Sequence, residues 1–235
     1  MRTMAAATVS AVLLMAGPAG AGTLETDEYV LSFTETVSIG NDIGVVGISS
    51  YGGFGPPQSA FFRWALDKSA ASIQFGAGVD TRTVLLPAFT LTAKTGYEFS
   101  NLGFSTAGTY TVLASELDSA TGSVSFSGAI SSPVSATMTD SLSVSAPPSS
   151  VGLWVVDVQQ SVPTFTSLTF SGGNLMLSST VGGSGAASMI VFDPSNAPGF
   201  SFQVAAVPEA SEWAMMLAGL GVVGFVARRR RALGS

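Results

Sequence analysis

From Tyr29 onward, apolar and polar side chains change places about every second residue, and glycine interrupts the pattern about every ten residues. Period two is the repeat of a strand with one buried and one wet face. Val, Phe, Tyr and Thr carry the pattern, and these side chains suit a pleated sheet better than a helix. The chain is therefore expected to be all-β, built of short antiparallel strands. Tyr29–Ile39, Gly44–Ser50, Phe61–Leu66 and Ser72–Phe75 open the series, with a short helix the alternative around Asp67-Lys68-Ser69; Thr83–Thr92 and Tyr97–Phe104 follow. The clearest hairpin pairs Thr109–Leu117, with Tyr110, Val112 and Ala114 on one face, to Ser123–Ile130. In the return strand Val124 and Phe126 face one way and Ser123, Ser125 and Ser127 the other; Asp118–Gly122 has the chemistry of a turn. Ser135–Val144, Val151–Val158, Thr164–Ser171, Leu175–Ser179, Ser188–Phe192 and Phe200–Val204 continue to the end of the pattern. Tyr51–Pro57 is expected as a loop, because Gly and Pro at that density defeat a ladder. Gly182–Gly185 is expected as a turn, and Ala146–Ser150 as a corner or a border between subdomains. The expected architecture is a β-sandwich, with a jelly roll the leading topology.

The two ends of the chain depart from this pattern. Met1–Thr3 is basic, Met4–Met15 is apolar apart from Thr8 and Ser10, and Ala19-Gly20-Ala21 has the small-x-small form of a cleavage site. Residues 1–21 read as a signal peptide for the Sec export machinery. At the other end comes Val207-Pro208-Glu209-Ala210, then Ser211-Glu212-Trp213, an uncharged run from Ala214 to Ala227, and Arg228-Arg229-Arg230-Arg231. The 14-residue run rises about 21 Å as a helix. A full span takes about 20 residues. Trp213 at the headgroups and snorkelling arginine stems make up the difference, so a transmembrane helix is expected. The four arginines hold its end in the cytoplasm and place residues 22–206 outside. Ala214, Ala218 and Gly221 share one helical face, on which another membrane helix could approach closely. On these residues alone, a plain C-terminal anchor is an open alternative to a processed tail.

The order Pro-Glu, aromatic, short Gly-rich helix and terminal arginines resembles the PEP-CTERM sorting signal of Gram-negative bacteria. Ala210 stands where the family usually has a second proline. The resemblance implies an exosortase as partner, a membrane cysteine protease that cuts near Val207–Ala210. It also implies a transient inner-membrane anchor and delivery of the body to the cell surface or exopolysaccharide matrix. The chain is then the substrate and not the enzyme. Phe33-Thr34-Glu35-Thr36-Val37, with Gly108-Thr109-Tyr110-Thr111-Val112 and a serine-rich return, is similar to the FxDxA-type branch of these proteins. That branch implies no activity.

The body between the two ends carries four basic residues (Arg63, Lys68, Arg82, Lys94) and 13 acidic ones, a net charge of about −9. Such a surface is a poor partner for nucleic acid. With no cysteine and no histidine, disulfides, Ser-His-Asp and Cys-His catalysis and the usual zinc and copper sites are excluded. Neither G-x-S-x-G nor S-x-x-K occurs. Glu116 and Asp118 read as solvated turn acids before they read as a glycosidase pair. Asp27 with Glu28, and Asn41 with Asp42, lack the spacing of a calcium loop. Tyr51 and Phe54 are the candidate carbohydrate contacts, and Trp154 is expected in the core beside Val156. The reading is a non-catalytic exported surface or biofilm-matrix protein with no cofactor or metal; the alternative is a carbohydrate-binding module acting on exopolysaccharide.

Overall fold

The computed structural model describes residues 21–53, 58–67, 72–75, 78–113, 120–146, 151–181, 187–192, 197–207 and 214–223. The strands in chain order are β1 Ala21–Glu25, β2 Tyr29–Thr34, β3 Asp42–Ile43, β4 Val45–Gly53, β5 Gln58–Leu66, β6 Ser72–Phe75, β7 Gly78–Leu86 and β8 Phe89–Ala93. They continue with β9 Tyr97–Leu113, β10 Ala120–Ser132, β11 Ala136–Ala146, β12 Val151–Gln160, β13 Ser167–Val181, β14 Ala187–Phe192 and β15 Gly199–Ala206. A helix, α1, covers 214–223. The all-β expectation holds. Two sheets form: an eight-stranded one ordered β1-β2-β8-β13-β10-β11 with β7 and β3 attached, and a seven-stranded one ordered β4-β5-β15-β9-β14-β6 with β12 attached. All recorded ladders are antiparallel except the short β3–β7 pair.

One long strand organises each sheet. β9 pairs along 102–111 with β12, and on its other edge first with β15 and then with β14. β13 pairs with β10 on one edge and with β8 and then β7 on the other. The sequence reading split both strands where glycine interrupts the alternation. The backbone in fact continues there and exchanges its partner. In β13 the exchange falls at Gly172–Gly173, where Gly172 has φ +102 and a Cβ on Gly173 would collide with the Ser127 carbonyl. Thr83–Thr92, expected as one strand, is two, broken at Pro87 and Ala88. β4 runs on through Tyr51–Gly53, so this part of the expected Gly/Pro loop is strand, and the remaining residues of that loop lie outside the described residues.

The expected hairpin between β9 and β10 does not form. The two are consecutive strands in different sheets, and β10 instead pairs with β11 in 11 unbroken registers. Its alternation was read correctly: Tyr110, Val112, Val124 and Phe126 are buried, and Ser123, Ser125 and Ser127 lie on the outer face. Ala114 and the turn at 118–119 lie outside the described residues.

The inner faces meet in a seam of aromatic rings. Phe33 and Phe89 of the eight-stranded sheet lie 5.0 and 5.2 Å from Trp64 and Phe62 of the other, and Phe104 stacks on Phe126 at 3.8 Å. Trp154 and Val156 are buried as expected. Burying such rings gives each about 2 kcal/mol or more of driving force. One hydrogen bond also crosses the sandwich, between the Tyr110 hydroxyl and Ser179 Oγ at 3.1 Å. One hydrophobic cluster draws on both sheets.

Tyr29 is 3 % exposed, edge-on to Phe202 at 5.1 Å. Burial pushes its phenol well above the ordinary 10.0, and the Glu28 carboxylate and Tyr51 add to the effect. In that window the folded protein keeps a proton that the unfolded chain has lost. Stability is fully present below about pH 10 and falls as pH rises above it, by up to about 1.4 kcal/mol per unit. Tyr29→Phe should remove that component of the loss. Urea midpoints measured across about pH 9 to 12 should fall less steeply for the variant. Parallel slopes in the two chains would refute the assignment.

Candidate functional site

β15 is the last strand, and its final residue, Ala206, pairs with Tyr97 of β9. Val207 follows directly and is still tied to the sheet, its amide donating to the Gly96 carbonyl at 2.8 Å. It has no helical geometry, which fits a residue that precedes proline. Pro208, Glu209, Ala210 and Trp213 lie outside the described residues, as do Arg228, Arg229, Arg230 and Arg231.

All ten residues of α1 are exposed. Met215 is 75 % and Val223 66 % open, and Cβ atoms added at Gly219 or Gly221 would meet nothing. An amphipathic helix of a water-soluble fold would lay its apolar stripe on the body. α1 is apolar on every side and buries none of them. Its 10 residues rise about 15 Å. Among the described residues no helix is long and apolar enough to cross a membrane. The remainder of the expected span, 224–227, lies outside them.

The other candidates sit elsewhere. Tyr51 is half-buried opposite Phe62 and packs against the core; Phe54 lies outside the described residues. Asp27 and Glu28 occupy the β1–β2 turn, where Thr26 Oγ1 accepts from the amides of Glu28 and Tyr29 at 3.3 and 3.1 Å. Asp42 is in β3, while Glu116 and Asp118 are outside the described residues. Among the described residues no group of three or more acidic side chains could hold a metal ion. Among the described residues the basic side chains are engaged locally: Lys94 with Glu25 at 2.7 Å, Arg82 with Asp80 at 3.1 Å, and Arg63 with the Ala197 carbonyl at 2.9 Å.

Asn101 is one functional candidate that sequence reasoning passed over. It has φ +57 and sits in a bulge of β9, where three steps on β9 match two on β15 between Ser201 and Gln203. No alternation signal marks such a bulge in the sequence.

No curated protein and no solved structure matches the chain. The family model of the PEP-CTERM protein-sorting motif matches residues 206–231. The match opens at Ala206, the last residue paired in the sheet, and takes in α1 and the arginines. That motif implies export and processing by an exosortase. The chain therefore carries, at its C-terminal end, a PEP-CTERM protein-sorting motif.

Proposed function

We propose that the chain is a non-catalytic exported protein of the cell surface or extracellular biofilm matrix. Residues 1–21 direct it through Sec, Ala214–Ala227 anchors it for a time in the inner membrane, and exosortase cuts at Val207–Ala210. The observation that carries this reading is the boundary: the sorting motif begins where the last ladder ends. Among the described residues, a cut beyond Ala206 removes no strand and none of the buried aromatic side chains. The tail is thus built to be lost without cost to the body. Antibody against the body should label intact cells of a strain with an active exosortase, and labelling should fall strongly when the protease gene is deleted. Equal labelling of both strains would contradict the proposal.

With no cysteine and no histidine, the body should owe its stability to burial and ladders alone. Melting curves with and without a strong chelator, and with and without reductant, should coincide. A chelator-induced fall of many degrees would reveal a calcium site. The second reading, a carbohydrate-binding module, is favoured by one feature of the seven-stranded sheet, the polar groove beside Asn101.

A further inference from the structure

A groove of about 380 Å³ opens where β5, β9, β12 and β15 come together. Its lining includes the amides of Asn101, Gln159, Gln160 and Gln203 and the hydroxyls of Ser161 and Ser201. No charged side chain and no exposed aromatic ring lines it; Phe202, which borders it, is turned into the core. Three backbone features shape the site. Asn101 holds φ +57, and among the described residues it is the one non-glycine with positive φ. Glycine would take that conformation without strain, whereas asparagine places a carboxamide there. The bulge opposite Ser201 and Gln203 displaces the ladder at the same point. Gly103 leaves room above β9: a Cβ there would stand 2.6 Å from the Gln159 amide nitrogen and 2.7 Å from Ser201 Oγ.

Internal hydrogen bonds orient the amides. Asn101 Nδ2 and Ser100 Oγ donate to Gln203 Oε1 at 3.0 and 3.2 Å, and Gln159 Nε2 donates to Asp157 Oδ1 at 2.8 Å. With those bonds made, Asn101 Oδ1 can still accept and Gln203 Nε2 can still donate. Vicinal hydroxyls present the complementary pair. An anion would find no cation there and would face a body of net charge about −9. An apolar ligand would strip water from amides without replacing their bonds.

We infer that this groove binds a neutral glycan. The inference deepens the carbohydrate-binding reading and does not depend on how the tail is processed. The full-length chain, purified in detergent, can be run in native gels containing mannan, xylan or a soluble β-glucan, with alginate as the anionic comparison. At least one neutral polysaccharide should retard it, and alginate should not. Asn101→Gly with Gln203→Ala should weaken that retardation by about tenfold or more, the effect of losing one or two good hydrogen bonds. The Asn101→Gly change relaxes the backbone, so the variant should keep its melting temperature. Gly103→Ala should act in the same direction by displacing Gln159 and Ser201. Ser123→Ala with Ser178→Ala, on the outer face of the other sheet, should change nothing. If no neutral glycan retards the chain, both this site and the carbohydrate-binding reading fall. If one does and the groove variants bind it equally well, the reading survives and the groove is the wrong site. Retardation by alginate equal to that by the neutral glycans would also overturn the assignment.

Discussion

Phe200→Ala should destabilise the body by about 3 to 5 kcal/mol and lower its melting temperature by on the order of 10 °C. Phe200 is 1 % exposed, with Phe62 and Phe104 as its cross-strand partners in the seven-stranded sheet. Across the sandwich its ring centroid lies 4.9 Å from Phe89 and 4.8 Å from Phe170. One truncation therefore strips contacts from four rings and leaves a cavity that stiff neighbouring strands can close only in part. A body with neither disulfide nor histidine-based metal site has few other sources of stability to draw on. Ser125→Ala on the outer face is the control and should stay within about 0.5 kcal/mol. A loss below about 1 kcal/mol at Phe200 would mean that the sheets are not held together through this seam.

Replacing Arg228, Arg229, Arg230 and Arg231 with serine should leave the body folded and lower the processed fraction by on the order of tenfold. Each arginine at the centre of a bilayer costs about 2.5 to 3.5 kcal/mol, so in the proposed anchor four of them would stop the chain from sliding through. The uncharged run ahead of them is short, and five of its first 13 residues are Gly or Ala. In the proposed anchor its own apolar area would hold it in place only weakly. Without the arginines the tail should slip out of the membrane before the protease can engage Val207–Ala210. Quantitative blots of precursor against mature form read the result. Unchanged processing would assign the stop to Trp213 and the helix instead.

The sequence was legible wherever the information is local. Alternation revealed the buried faces at Tyr110, Val124, Phe126, Trp154 and Val156, because a side chain's face depends only on parity along its own strand. The sorting tail was legible because its parts are contiguous and arrive in a fixed order. Pairing was not legible in the same way. Alternation and a polar reversal look the same whether the returning strand stays in one sheet or crosses to the other, and β10 crosses. β1 escaped notice because Ala21-Gly22-Thr23 carries no alternation; Gly22 is there to admit the ring of Phe33, where a Cβ would collide. The polar groove was out of reach for the same reason. Asn101, Gln159 and Gln203 come from three distant strands, and a bulge brings them together. The candidate aromatic contact, Tyr51, has the sequence neighbourhood of a loop residue, yet it lies in β4 opposite Phe62.

On the proposed reading the body is exported and released by a cut at the start of the sorting motif. The intact mass of the protein recovered from outside the cells of a strain with an active exosortase reads this out. The expected product is a chain that starts near Gly22 and ends between Val207 and Ala210, with no peptide from Met215 onward. A full-length C-terminus, arginines included, persisting in the membrane of that strain would contradict it and leave a plain C-terminal anchor in its place.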